Sequence, residues 1–225
     1  MSLGQRILGF LLILLGWIFS LCLHEFAHAW VACRGGDTSV RDKGYLSFNP
    51  ARYTSVRESL LWPLVFFLLG GIALPGGAVY VNRAALRSRG WDCAVSLAGP
   101  AANLLLLALL ALPFQLGVVD VGRPTVLWAA YAFVCHLQVM AALFNLVPVP
   151  PLDGFGAVSA FMDPLARARA YAAGSLPFFV FLAVLWTHNP VSRVFWRAVF
   201  EITRAAGVPP ELLSLGWLMM PSLRP

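Results

Sequence analysis

Three ionisable residues lie close together inside a long apolar stretch near the start of the chain. His24, Glu25 and His28 fall within Leu21–Trp30, and no other charged residue occurs between Ile7 and Cys33. Ionisable side chains in hydrocarbon are costly, so such residues in an apolar segment indicate a functional site. If the stretch is a helix, positions i and i+4 share a face, and the imidazoles of His24 and His28 can bind one metal ion.

The spacing of these residues is the H-E-x-x-H pattern of zinc hydrolases. In that pattern two imidazoles hold Zn²⁺, and the glutamate accepts a proton from the metal-activated water without having to bind the metal. A chance match in a chain of this length has a probability of about one in a hundred from residue frequencies alone. The stretch therefore predicts a hydrolytic zinc site with Glu25 as general base.

The composition is that of a polytopic membrane protein. The chain has 225 residues, of which 60% are hydrophobic and 12% charged, and its mean hydropathy is +0.77, well outside the range of soluble proteins. We predict an all-α polytopic fold with about four to six transmembrane segments. The net charge of +6 favours contact with lipid headgroups, and the sequence has no basic cluster with interleaved aromatic residues that would indicate nucleic-acid binding.

Glycine, proline and charged residues divide the chain into the elements that must position the histidines. A first helix is predicted from about Arg6 to Cys33, because Arg34-Gly35-Gly36 ends it. The later apolar segments are Cys93–Leu116, Thr125–Leu146 and Tyr171–Trp186, and a mixed aromatic and basic tail, Val191–Arg204, is expected to lie along the membrane interface. We predict a single integral-membrane domain over residues 1–225, with the core over about 6–161 and a C-terminal transmembrane segment and tail over about 171–225.

Two histidines leave a zinc ion short of a protein ligand, and Asp153 is the strongest candidate for the third. It lies in the proline-rich turn Val147–Gly154, directly after a full apolar segment. His136 lies about four helical turns from Asp153 if its segment stays helical, which is too far for the same ion. An interhelical hydrogen bond is the predicted role of His136.

Three motifs carry a resemblance to a known family. Asn145–Gly154 fits N-x-x-P-x-P-x-L-D-G, and Gly99–Asn103 fits G-x-x-x-N. Together with H-E-x-x-H, in this order, they resemble the site-2 protease family, the intramembrane zinc metalloproteases of peptidase family M50. The resemblance spans about Leu21 to Gly154. It implies one Zn²⁺ per chain, with His24, His28 and Asp153 as the ligands and Glu25 as the general base.

The resemblance also places Asn103 and Asn145 near the site. Either amide can donate to a developing oxyanion or hold the substrate backbone. The alternative for Asn103 is a polar residue beside a seam of small residues, and the alternative for Asn145 is a cap on the helix before the proline turn. The chain departs from the family pattern where Tyr53-Thr54-Ser55 replaces a His-Asp-Pro element, and the lack of room for a PDZ or nucleotide-sensing domain implies a minimal, core-only member.

Binding of one zinc ion by His24, His28 and Asp153 would constrain the topology of the chain in the membrane. If its three ligands meet, the C-terminal ends of the first helix and of Thr125–Leu146 face the same side of the membrane. Leu60–Val81 then has to enter and return, as a re-entrant helix followed by a strand over Ala78–Val81. This arrangement places the arginine-rich loops together on the cytoplasmic side. The strand, with Val79 and Tyr80, is predicted to line the cavity and to bind an unwound substrate by strand addition.

These features predict an intramembrane zinc metalloprotease that cleaves peptide bonds within or next to transmembrane segments of membrane-protein substrates in the lipid bilayer. The alternative is a non-catalytic membrane scaffold or pseudo-protease that binds partner helices. Glu25 argues against it, because a structural zinc site does not need that carboxylate. Metal transport would predict ionisable residues along a path across the bilayer, whereas the sequence shows one cluster. The expected location is a bacterial inner membrane, with the active site toward the cytoplasm.

Overall fold

The computed structural model describes residues 1–48 and 79–221. Within those ranges the chain is all-helical and contains no strand, which confirms the predicted fold class. The described helices are α1 (Leu3–Gly35), α2 (Ser39–Asp42), α3 (Arg89–Gln115), α4 (Val126–Asn145), α5 (Asp153–Ser159), α6 (Pro164–Ala172), α7 (Leu176–Trp186), α8 (Pro190–Ala205) and α9 (Pro210–Met219), with a 3₁₀ turn at Arg83–Ala85.

The first helix has the start and the stop that its sequence indicates. Ser2 and Gln5 form a capping box, in which each side chain accepts the other residue's backbone N–H. The helix ends at Gly35 and is capped by Gly36, whose φ of +124° is rarely adopted by residues with a side chain. A Cβ at Gly36 would also lie 2.5 Å from the carbonyl oxygen of Ala85. Glycine at this position therefore lets the chain turn and lets the 3₁₀ turn pack against the end of α1.

Three of the described helices, α1, α3 and α4, are long and apolar enough to cross a membrane. A fourth span is possible if α6 and α7, which meet at an angle of 63°, are counted as one broken segment. The predicted re-entrant element, Leu60–Val81, lies outside the described residues except for Val79–Val81, which belong to neither a helix nor a strand.

The central helix of the bundle is α4. It packs against α1, α3 and α9, and Phe133, Cys135 and Met140 are fully buried on it. Two glycines allow close approach to it, because a Cβ at Gly16 would lie 2.7 Å from Val134 and one at Gly216 would lie 2.8 Å from Phe133. Small residues at crossings allow membrane helices to pack closely through dispersion contacts.

The helix α8, which covers the segment Val191–Arg204 predicted to lie along the membrane interface, packs alongside α4. Its buried residues Ser192, Val199 and Thr203 recur at helical spacing and face the protein. The helix is therefore held by protein contacts on this side, while its placement along the membrane interface stays a prediction.

Candidate metal centre and active site

The three predicted metal ligands lie together, although they come from distant parts of the chain. His24 and His28 are one turn apart on α1, and Asp153 is the first residue of α5. The Nε2 atoms of His24 and His28 are 3.0 Å apart. The Asp153 carboxylate places Oδ2 3.2 Å from Nε2 of His24 and Oδ1 3.4 Å from Nε2 of His28.

Hydrogen bonds on the far side of each ring determine which nitrogen faces this cluster. Nδ1 of His28 lies 2.6 Å from the carbonyl oxygen of Val95, which can only accept, so this nitrogen carries the proton. Nδ1 of His24 lies 2.6 Å from Oδ1 of Asn103. The Asn103 amide nitrogen donates to Ser20 and Gln138, which identifies its oxygen as the acceptor. Both Nε2 atoms therefore present lone pairs to each other and to Asp153.

The cluster fits a zinc ion. Asp153 Oδ2 is buried and has no hydrogen-bond partner among the described residues. Two imidazole nitrogens and one carboxylate oxygen, with all ligand atoms within 4.8 Å of one another, form the three-ligand set of a catalytic zinc site with one open position.

Gly99 keeps the space in front of the two imidazoles open. A Cβ at this position would lie 2.3 Å from Nε2 of His28 and 2.4 Å from Nε2 of His24, so any larger residue would fill the place that a shared ion needs. Asn103 follows one turn later on α3 and binds the back of His24. The G-x-x-x-N element thus provides open space with its first residue and a hydrogen bond with its last.

The cluster opens into a cavity of 380 Å³. Glu25 lines the same cavity and is only 3% exposed. Its Oε2 atom accepts a hydrogen bond of 3.2 Å from the backbone N–H of Val79. The other lining residues include Val79, Tyr80, Val81, Arg83, Ser96, Asn145 and Phe178. A buried carboxylate next to a metal-binding set, in a space that admits a peptide backbone, is an arrangement suited to hydrolysis.

The two asparagines occupy different places relative to this cavity. Asn145 lines it, is 3% exposed, and donates through Nδ2 to the carbonyl oxygen of Ala141 one turn earlier. Asn103 lies behind His24, where its oxygen and its amide nitrogen are both occupied. The structure therefore brings Asn145, Val79 and Tyr80 to the cavity and places Asn103 one layer further back.

Comparison with known proteins identifies the family of this chain. The model of peptidase family M50 matches residues 10–123. Rip2 of Mycolicibacterium smegmatis is 42% identical over 207 residues, which cover 92% of this chain and 78% of that protein. The chain belongs to peptidase family M50. YwhC of Bacillus subtilis is 34% identical over 185 residues, covering 80% of this chain and 81% of YwhC.

Both relatives carry the name of a zinc metalloprotease, and the chain is accordingly an M50 zinc metalloprotease of the membrane, with Zn²⁺ as its cofactor. The M50 match includes α1 with His24, Glu25 and His28, and α3 with Gly99. Asp153 lies beyond the matched range, so its assignment as third ligand depends on the geometry described above. No solved structure matches the chain.

Several contacts around the M50 site were not anticipated from the sequence. Asp92, which is 6% exposed, is paired with Arg83 and lies 3.0 Å from Arg167 of α6. Asp37 accepts from Ser39 and also from the backbone N–H of Asn82 at 2.7 Å. The sequence signal for Asp92 is an acid among arginines, but only the fold shows that its partners come from the 3₁₀ turn before α3 and from α6.

Ser20 and Gln138 were also missed. Each is a polar residue inside an apolar helix, and each is at most 4% exposed. Ser20 donates to Gln138 at 2.6 Å, and both accept from the Asn103 amide. A polar residue in a transmembrane segment is itself a signal of a buried partner, so these positions were detectable, although their shared partner was not.

Proposed function

We propose that this M50 zinc metalloprotease hydrolyses peptide bonds within or next to transmembrane segments of other membrane proteins. The observation that carries the proposal is the position of the donor set. His24, Glu25 and His28 are buried within the membrane-spanning helix α1, and their cavity is also lined by α3 and by the end of α4. A peptide bond has to reach this level of the membrane to be cleaved.

The ligand set is arranged by its hydrogen-bonding neighbours. When bound, Zn²⁺ supplies a Lewis acid that acidifies the attacking water and polarises the scissile carbonyl. His24, His28 and Asp153 would hold it through Nε2, Nε2 and a carboxylate oxygen. Asn103 and the Val95 carbonyl orient the two rings, since metal-binding imidazoles depend on such partners for their tautomer and direction. For Asn103 this positioning role is favoured over an oxyanion role, because both ends of its amide are already occupied.

Glu25 is the proposed general base. It would accept the proton of the attacking water and pass it to the leaving amine. The backbone N–H of Val79 holds one carboxylate oxygen, which leaves the other for the water. The same contact connects the base to the segment that we propose binds the substrate.

That segment, residues 79–82, is held on one side by the loop after α1. Lys43 donates to the carbonyl oxygen of Tyr80 at 3.0 Å, and the N–H of Asn82 donates to Asp37. In an extended segment alternate residues point their backbone groups to opposite sides, so those of Val81 are directed away from this loop. They have no hydrogen-bond partner among the described residues and are suited to pairing with an unwound substrate strand. Asn145 would assist from across the cavity.

The strand-addition hypothesis can be tested at Val81. Proline there removes the backbone N–H, and we expect the KM for a model transmembrane substrate to rise about fivefold, the effect of one hydrogen bond, while zinc content stays the same. The Val81→Ala variant keeps the N–H and should retain the parental KM. Equal KM values for the two variants would contradict backbone pairing at this residue.

Charge favours a cytoplasmic active site in a bacterial inner membrane. The zinc-binding end of the bundle carries most of the basic residues among those described: Arg34, Arg41, Lys43, Arg83, Arg87, Arg89, Arg167 and Arg169. Two basic residues lie at the opposite end of the bundle: Arg6 near the start of α1 and Arg123 in the connection between α3 and α4. The proposed orientation follows from the excess of Lys and Arg in cytoplasmic loops.

The decisive experiment uses the purified full chain in liposomes with a model transmembrane substrate. The wild type should cleave it, and Glu25→Gln should lower the rate by about 10²–10⁴-fold, the usual contribution of general base catalysis, with zinc retained. Asp153→Ala should lose zinc affinity. Stoichiometric zinc without cleavage of a varied substrate panel would support a scaffold, and preferential cleavage of water-soluble peptides would contradict an intramembrane substrate.

A further inference from the structure

A network of hydrogen bonds lies behind His24 and joins the three long helices α1, α3 and α4. Ser20 donates to Oε1 of Gln138 at 2.6 Å, and the Asn103 amide nitrogen donates to both of these residues, at 3.0 and 2.9 Å. Oδ1 of Asn103 lies 2.6 Å from Nδ1 of His24. All four side chains are at most 4% exposed, so bulk water does not compete for these contacts.

The direction of the network is set at a backbone carbonyl of α4. Nε2 of Gln138 lies 3.2 Å from the carbonyl oxygen of Val134. Because a carbonyl oxygen can only accept, the Gln138 amide turns its nitrogen toward Val134 and its oxygen toward Asn103. Asn103 then has to present its nitrogen to Gln138 and its oxygen to His24. The reverse order would bring two carbonyl oxygens together at Val134.

This direction decides which nitrogen of the His24 ring carries the proton. Oδ1 of Asn103 accepts, so Nδ1 of His24 donates and Nε2 keeps its lone pair for a metal. An Asn103 side chain turned by about 180° would offer N–H to Nδ1. The ring proton would then lie on Nε2, and that atom could not bind zinc.

Ser20 cannot select between the two orientations of Asn103. Its hydroxyl rotates, and it can accept from the amide nitrogen or donate to the amide oxygen. Gln138 has no such freedom, because Val134 holds its amide in one direction. Within the network, Gln138 is therefore the side chain that discriminates between the two tautomers of His24.

We propose that Gln138 is a positioning residue of the zinc site, which acts through Asn103 to hold His24 in the tautomer whose Nε2 binds the metal. Gln138 is fully buried on α4 and is not among the residues that line the cavity, so it touches neither metal nor substrate. The proposal rests on the role of His24 as a zinc ligand that is proposed above.

The first measurement is the tautomer of His24 in the metal-free full chain in lipid. In ¹⁵N NMR of labelled histidine rings, protonated and unprotonated nitrogens give separate resonances, and loss of a signal in His24→Ala assigns it. The wild type should show one tautomer, whereas Gln138→Leu should populate both. His28 is an internal reference, because its Nδ1 faces the Val95 carbonyl and its tautomer should not change.

The second measurement is zinc affinity by competitive chelation. Only the chains with the correct tautomer bind, so an equal mixture lowers the apparent affinity about twofold. A bias of one hydrogen bond toward the wrong tautomer lowers it about fivefold. We therefore expect Gln138→Leu to lower zinc affinity by about two- to fivefold.

Three variants separate positioning from a general effect on packing. Gln138→Glu keeps an oxygen acceptor facing Asn103, so it should show one tautomer and no loss of zinc affinity. Asn103→Asp offers an oxygen to Nδ1 in either orientation, so adding Gln138→Leu to it should not lower zinc affinity further. Thr203→Val removes a different hydrogen bond of α4 with another helix, and both readouts should stay at the wild-type level.

Two results would overturn the proposal. One is a single His24 tautomer, with Nε2 unprotonated, in Gln138→Leu. The other is an equal loss of zinc affinity from Gln138→Leu with and without Asn103→Asp, which indicates a packing effect. Absence of zinc from the wild type would instead contradict the proposed metal centre, and the NMR measurement on the metal-free chain would still decide whether Gln138 sets the tautomer.

Discussion

Two regions of this protein bury histidine in membrane-spanning helices, with different consequences. His24 and His28 are 4% and 8% exposed, and His136 is fully buried. In each ring Nδ1 is occupied: by Asn103, by the Val95 carbonyl, and by the hydroxyl of Thr203. Because Thr203 donates to the Val199 carbonyl, it accepts from His136. All three rings therefore carry their lone pair on Nε2.

The difference lies in what Nε2 faces. In the zinc region two Nε2 atoms and a carboxylate converge on a space that Gly99 keeps open. Nε2 of His136 has no hydrogen-bond partner among the described residues, and aromatic rings surround the imidazole, with centroids of Phe133, Phe200 and Trp217 at 6.0, 5.1 and 5.8 Å. Burial and tautomer are thus common to both regions, and a metal site needs convergent ligands and open space in addition.

Filling that space should have the largest effect. Gly99→Ala would place a Cβ within 2.4 Å of both Nε2 atoms. Loss of an outer hydrogen-bond partner lowers metal affinity by about 10–100-fold. We expect Gly99→Ala to lower zinc affinity by more than that, as measured by metal analysis of the purified chain. Gly4→Ala is the matched control, because a Cβ there meets nothing within 4 Å. Stoichiometric zinc in Gly99→Ala would show that the two imidazoles do not share an ion in front of Gly99.

The two asparagines offer an intermediate test of what positions the zinc region. Asn103→Ala removes the acceptor of His24 and should lower zinc affinity by about 10–100-fold. Asn145→Ala leaves the ligand set intact. If Asn145 stabilises the oxyanion, its loss should lower kcat by about 10²–10³-fold at unchanged zinc content. Competitive chelation and steady-state cleavage distinguish the two effects, and equal zinc affinity in both variants would contradict the positioning role of Asn103.

The smallest effect is expected in the second histidine region. Thr203→Val removes the acceptor of His136 and should lower the free energy of unfolding by about 0.6–1.7 kcal/mol, the range for polar contacts between membrane helices. Zinc content should not change. Thermal unfolding in detergent measures the effect, with Ser214→Ala as control, because the exposed Ser214 hydroxyl donates within its own helix, to the carbonyl oxygen of Glu211. Loss of zinc in Thr203→Val would show that the two regions are coupled.

Much of the zinc region could be predicted because its signals are local in sequence. Helical spacing brings His24 and His28 onto one face, and the cost of ionisable groups in hydrocarbon marks them as functional. The interhelical hydrogen bond of His136 was predicted in the same way and is confirmed by its contact with Thr203. The bounds of α1, α3 and α4 also follow from local signals, since capping residues, glycine and charge determine where apolar helices begin and end.

The amino-acid sequence by itself thus determined the three long spans α1, α3 and α4, the motif residues and the side chains able to bind zinc. Only the tertiary structure decided that Val95 and Asn103 orient the rings, that Gly99 leaves room between them, that Asp92 joins Arg83 to Arg167, and that α8 lies along α4. The physical reason is that helix formation and membrane insertion depend on neighbouring residues, whereas the direction of a lone pair, an open space or a buried ion pair depends on how separate helices cross.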